Sequence, residues 1–78
     1  MYYVYILKLN DRTSYIGSTN NLKNRLKYHN SGKCKSTKDK KPLKLHWFCV
    51  FENKSKAIKF EQYLKSGSGT AFRHNRLE

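Results

Sequence analysis

Residues 2–9, Tyr-Tyr-Val-Tyr-Ile-Leu-Lys-Leu, are aromatic or branched almost throughout. Bulky and branched side chains of this kind fit a pleated surface, so the run reads as a strand. Apolar groups fill both alternating positions, which implies cover on both faces. The chain that must supply the cover has 78 residues. A chain this short buries only about 60% of its unfolded surface, so its core is small. One domain spanning residues 1–78 is expected.

Asn10-Asp11-Arg12-Thr13 is a polar turn of hairpin length, and Ser14-Tyr15-Ile16-Gly17 reads as the returning strand. Ser18 to Asn21 offers several N-caps for a helix through Leu22, Arg25, Leu26 and His29, which stops near Asn30-Ser31-Gly32. Lys33 to Lys41 lacks periodicity and reads as a loop closed by Pro42. Leu43 to Phe51 is the third strand, dense enough in apolar residues at Trp47–Phe51 to be central in the sheet. Asn53 or Ser55 caps a second helix, Ala57 to Lys65, ended by Gly67. A final helix from about Thr70 to Leu77 covers the core with Ala71 and Phe72. The expected fold is a small α/β (α+β) domain with a three-stranded sheet, in the order β-β-α-β-α-α.

Composition narrows the class. Lys and Arg number 17 against 5 Asp and Glu, a formal charge of +12. No run of ~18 apolar residues is present to span a membrane, and Met1-Tyr2-Tyr3-Val4 does not open a signal peptide. Aromatic residues make up 14% of the chain, which argues against disorder. Two cysteines, Cys34 and Cys49, are too few for a disulfide scaffold of a small secreted domain and suit a cytoplasmic protein. A zinc site joining them to His29 or His46 lacks C-x₂-C or H-x₃-H spacing and is disfavoured. The charge points to a polyanionic partner, because cations on the protein release counterions from a phosphate backbone. Six lysines, Lys33, Lys35, Lys38, Lys40, Lys41 and Lys44, lie in one stretch with a single acid, Asp39. A solvated loop is the plainer reading of such a run. The tyrosine-rich, basic chain as a whole favours nucleic acid over an anionic membrane.

Some residues suggest chemistry. Arg25 and His29 are four apart and share one helix face. The Leu22–Leu26 stripe is rotated by only about 60° from them, so they either flank the buried face or point to solvent. On the second helix Glu61 falls among Ala57, Phe60 and Leu64, where a carboxylate needs a buried Arg or a metal ion. Tyr3 and Tyr5 share a face of the first strand, and Tyr15 sits on its neighbour. They are sheet-packing aromatics or catalytic groups. A phenol with a pKa of ~10 is a poor base at neutral pH, and nearby cations would lower it.

Val4-Tyr5-Ile6, then Tyr15-Ile16-Gly17, then Arg25 and His29 on one helix and Glu61 on a later one, resembles the GIY-YIG nuclease superfamily. The likeness runs through the whole chain and is closest to small stand-alone bacterial members. Val4 stands where the family name has Gly. The resemblance implies a three-stranded antiparallel sheet flanked by helices. It implies that Tyr5 or Tyr15 activates water, with Tyr5 preferred as base, that Arg25 binds the scissile phosphate, and that His29 assists proton transfer. Glu61 would be the single protein ligand of one Mg²⁺ or Mn²⁺ ion, and Gly17 would let the chain approach the substrate closely. Ser18 and Thr19 stand where some members carry Lys, and Asn75 is the nearest candidate for a C-terminal Asn near the phosphate.

The expected activity is metal-dependent endonucleolytic hydrolysis of DNA, single-stranded or branched, with RNA not excluded and the lysines of 33–44 holding the backbone. The competing class is a basic DNA- or RNA-binding module with little or no catalysis. A third reading makes Arg25 and Glu61 a buried ion pair.

Overall fold

The apolar run at the N-terminus becomes strand β1, Tyr2–Lys8, and lies in the middle of a three-stranded antiparallel sheet. The structure, a computed structural model, describes residues 1–32 and 43–77. Strand β2, Ser14–Thr19, and strand β3, Lys44–Phe51, flank β1 in the order β2-β1-β3. Both pair antiparallel with it. β1 is covered on both faces, as its sequence requires: Val4, Tyr5, Ile6 and Leu7 are all fully buried.

A tight turn joins β1 to β2. Asp11 Oδ1 accepts from the Thr13 backbone N–H at 3.0 Å, and the Leu9 N–H donates to the Thr13 carbonyl at 3.0 Å. Arg12 takes a φ of 70°, a left-handed conformation that crowds any residue with a Cβ. Helix α1, Leu22–Asn30, is capped by Asn21, whose side chain accepts from the Asn24 N–H at 3.1 Å. Helix α2, Lys54–Lys65, is capped in the same way by Asn53, which accepts from the Lys56 N–H at 2.9 Å.

The two helices take opposite faces of the sheet. Val4, Ile6 and Ile16 meet Ala57 and Leu64 of α2 in one cluster, with Trp47, Phe51 and Phe60 packed around it. Tyr5, Leu7 and Leu9 form the other, against Leu22 and Leu26 of α1. Arg25 and His29 follow α1 onto this second face.

Two expectations for the third strand and the C-terminal end do not hold. β3 is an edge strand, not the central one: apolar density tracks burial, but β1 is the strand hydrogen-bonded on both sides. Along β3 exposed and half-buried positions alternate after Leu45, as one-sided cover dictates. The last helix begins earlier than expected, as α3, Gly67–Phe72, and its Ala71 and Phe72 are exposed. Ser66 starts it by accepting from the Gly69 N–H at 3.1 Å, and Gly69 is buried where a Cβ would strike the Tyr63 backbone. The chain then winds into a π-helical turn, Arg73–Leu77, which places Leu77 on the α2-side core instead. His46 sits at a bulge opposite Ile6 and Leu7 and donates from Nε2 to the Leu77 carbonyl at 2.9 Å.

Candidate active site

β1 and β2 place Tyr5 directly across from Gly17, and Leu7 across from Tyr15. All four side-chain positions point to the α1 face. Gly17 matters because it has no Cβ: one built there would come 2.5 Å from the Tyr5 hydroxyl oxygen and 3.2 Å from the Tyr15 ring. The space it leaves lets the two rings stack, with centroids 6.4 Å apart and 29° between planes. His29, on the last turn of α1, is fully buried against both. Its ring meets Tyr15 edge-on at 4.8 Å and Tyr5 at 5.9 Å.

Hydrogen bonds tie this aromatic group to a cation. The Tyr5 hydroxyl lies 3.1 Å from His29 Nε2, and Arg25 Nε donates to the same hydroxyl at 3.4 Å. The Arg25 guanidinium also lies over the Tyr28 ring, 4.8 Å from its centroid, a cation–π contact that holds it at the mouth of the cluster.

The electrostatics differ from the sequence expectation. Burial pushes the Tyr5 phenol up to about 12, outweighing the Arg25 hydrogen bond that favours phenolate. Burial, aided by the Arg25 charge, pushes His29 below the usual imidazole range. At neutral pH the pair is therefore a neutral phenol beside a neutral imidazole, which can accept a proton. Arg25 moves the other way: its hydrogen bond to Tyr5 strengthens its hold on its proton.

Glu61 reaches β2 from the opposite side. Ser18 lies across from Val4 and faces α2, and its hydroxyl donates to Glu61 Oε1 at 2.5 Å. Lys65, one helical turn on, donates to Glu61 Oε2 at 2.8 Å. Among the described residues Glu61 thus pairs with Ser18 and Lys65 and not with Arg25, which removes the buried Arg25–Glu61 pair. Its negative charge is still felt at Tyr5, and β2 is an edge strand with one free side. There a cleft of about 390 Å³ is lined by Ser14, Tyr15, Ile16, Lys65, Thr70 and Arg73.

A hard divalent ion fits this donor set. The Glu61 carboxylate keeps 18% of its side-chain surface exposed, and the Lys65 side chain on it is 52% exposed. Among the described residues no three His, Cys, Asp or Glu side chains gather. An ion there would have one protein carboxylate, the pattern Mg²⁺ adopts when phosphate and water complete its shell.

Val4, Ile6 and Ile16, the remaining motif positions, are buried in the α2-side core. Asn75 is exposed on the π-helical turn, and no described hydrogen bond joins it to the cluster. Lys44 is exposed at the start of β3, across from Lys8. Lys33, Lys35, Lys38, Lys40 and Lys41, with Cys34, lie outside the described residues. Sequence reasoning missed Tyr28 and the roles of Ser18 and Lys65. Two of them carried a signal: Tyr28 is three residues from Arg25 and Lys65 four from Glu61, both neighbour spacings on a helix.

Comparison with known proteins shows the family and the fold. Residues 1–75 match the model of the GIY-YIG catalytic domain. A UPF0213 protein of Clostridium perfringens is 50% identical over 66 residues, covering 83% of this chain and 71% of its own length. Another, of Vibrio campbellii, is 46% identical over 63 residues. The match takes in 80% of this chain but 61% of that protein, less than two thirds of it. The solution NMR structure of a UPF0213 protein from Bacillus halodurans shares the fold with a TM-score of 0.59 and 33% identity, covering 96% of this chain and 84% of that one. The chain belongs to the GIY-YIG catalytic domain family.

Proposed function

We propose that the chain, acting as a single domain, is an endonuclease that hydrolyses phosphodiester bonds in DNA. The observation that carries this reading is the Tyr5 hydroxyl held between the His29 imidazole and the Arg25 guanidinium. Membership of a nuclease-type family and a charge of +12 both support a nucleic-acid substrate.

Arg25 engages the scissile phosphate and offsets the charge that grows on it. In the free protein the guanidinium covers the Tyr5 hydroxyl, and its move onto phosphate uncovers that oxygen to the attacking water. Burial keeps Tyr5 from resting as phenolate, so it passes a proton on rather than holding a charge. It takes the proton of the water as its own goes to His29 Nε2, which is neutral and 3.1 Å away. The water oxygen bonds to phosphorus, the bond to the leaving oxygen breaks, and solvent protonates that oxygen. Tyr15 packs against the imidazole and lines the cleft. Glu61 is the residue that would hold Mg²⁺ or Mn²⁺, which supplies phosphate polarisation and charge neutralisation at the leaving oxygen.

The ammonium of Lys65 on Glu61 favours a second reading, a nucleic-acid-binding module with little or no catalysis, since that carboxylate is already neutralised. One assay separates them: purified protein with supercoiled plasmid or single-stranded DNA in Mg²⁺, Mn²⁺ or EDTA. Cleavage that needs metal, disappears in Glu61→Ala and drops by about 10²–10³ in Arg25→Ala is the expected result. Binding without cleavage selects the second reading. Cleavage that survives both substitutions comes from a contaminant and ends the assignment.

A further inference from the structure

The α1 face of the sheet is not fully covered. Between β3 and the start of α1 runs an open groove of about 750 Å³, separate from the cleft at Tyr15. Its floor is Tyr3, Phe48 and Val50, its wall Leu26, and its rim Asn20 and Lys23. Phe48 is 47% exposed and Val50 43%. The Tyr3 and Phe48 rings, 6.3 Å apart and tilted at 52°, form a shallow aromatic angle.

The position of this floor ties it to the cluster. Phe48 lies directly across from Tyr5 in the β1–β3 register. Tyr3 is two residues from Tyr5 on the same face, about 7 Å along the strand. An apolar floor left open on the sheet face that carries Arg25, with Lys23 at its rim, suits a group with a flat π face, polar edges and an attached phosphate. An unpaired nucleobase has all three. Its face would stack on Phe48 and Tyr3, and its edge would meet the Asn20 amide. Lys23 would take the neighbouring phosphate. A second copy of the chain is a poor occupant, because +12 would meet +12.

We propose that the groove seats an unpaired nucleobase of the strand whose phosphate Arg25 engages, making single-stranded or unpaired nucleic acid the substrate class. The proposal rests on the nuclease reading for its scissile phosphate. It excludes fully paired duplex as the preferred ligand, because a base within a duplex has both faces stacked and cannot reach the floor without leaving the helix.

The test measures binding in EDTA, where nothing is cut, to an oligothymidine of about twelve nucleotides and to a paired hairpin of equal charge. Proteins are the wild type, Phe48→Ala and Phe48→Tyr, each checked for an unchanged circular dichroism spectrum. Wild type should prefer the oligothymidine. Phe48→Ala should lose about tenfold in affinity for it, and affinity for the hairpin should change less than about twofold. Phe48→Tyr should restore the loss. The salt slope should be the same for all three, because stacking releases no counterions. Equal losses on both ligands, or none on either, overturn the proposal. So does a concentration-dependent dimer that Phe48→Ala dissolves in sedimentation, which would make the groove a self-interface. Plasmid cleavage in Mg²⁺ is scored separately. Absent cleavage with the Phe48 effect intact removes the nuclease reading alone, while cleavage without the Phe48 effect removes the base seat alone.

Discussion

On the α2 side of the sheet Val4, Ile6 and Ile16 meet Ala57 and Leu64, and nothing in that cluster can hydrogen-bond through a side chain. On the α1 side the same two strands present Tyr5 and Tyr15, and the residue buried against them is an imidazole. Those buried aliphatic positions need only volume and close packing, and the polar pair on that side, Ser18 and Glu61, lies at the edge strand. The α1 side has to satisfy a phenol and an imidazole, which it does by joining them to each other and to Arg25. Strand alternation lets one β1 residue serve stability and the next serve chemistry without either compromising the other. Substitutions at the buried positions of the two faces should therefore separate rate from stability.

The largest separation is expected from Tyr5→Phe. It keeps the ring and removes the hydroxyl, so plasmid cleavage should fall by about 10²–10⁴. Stability should fall by only about 1–2 kcal/mol, from loss of the hydrogen bond between Tyr5 and His29. Urea melts alongside initial rates measure both, and a stability loss without a rate loss would place Tyr5 with the structural face. Leu64→Ala should do the reverse. Deleting a fully buried leucine costs about 3 kcal/mol, while the cleavage rate per folded molecule should stay within about twofold at a temperature where the variant is folded.

A smaller effect concerns pH. His29 has a lowered pKa in the folded chain, so the unfolded chain binds more protons near and below ~6.5. Stability should be full above that value and fall as pH drops toward the folded value, levelling off below it. Cleavage per folded molecule should fall only at the lower end of that window, as pH drops through the folded value, because a protonated imidazole cannot accept the Tyr5 proton. Thermal melts across that range should slope for wild type and flatten for His29→Gln. An unchanged slope would mean that the imidazole is not the titrating group. The smallest effect lies outside both faces. Arg12→Gly relieves a left-handed φ at the cost of chain entropy and should stabilise the turn by about 0.5 kcal/mol, leaving cleavage unaltered.

Much of this was legible in the chain. The apolar run of residues 2–9 announced a strand covered on both faces, and it is the central one. Asn21 and Asn53 were among the residues expected to cap the helices, because capping depends on local side-chain chemistry. The place of β3 was not legible. Trp47 to Phe51 has the apolar density of a central strand, but sheet order depends on which backbones pair, and no local pattern records it. Ala71 and Phe72 misled for a related reason: Ser66 and the buried Gly69 start the helix three residues early, and this turns Leu77 inward in their place.

The site divides along the same line. The i, i+4 spacing of Arg25 and His29 and the apolar setting of Glu61 could be read directly, since helical periodicity is a property of the sequence. The sign of the Tyr5 shift could not. Seventeen cations suggested a lowered phenol, yet charge acts through solvent while desolvation acts at the atom, and burial of the hydroxyl wins. The bond between Ser18 and Glu61 spans 43 residues, and no spacing predicts a contact of that separation.

The sequence by itself determined the three strands, the first two helices and their caps, and the family motif, because these follow from periodicity and side-chain chemistry along a short stretch of chain. Tertiary structure alone decided which strand is central, which face holds the polar cluster and how far the Tyr5 proton is held. Those properties depend on burial and on groups brought together from distant positions, and only the folded chain has them.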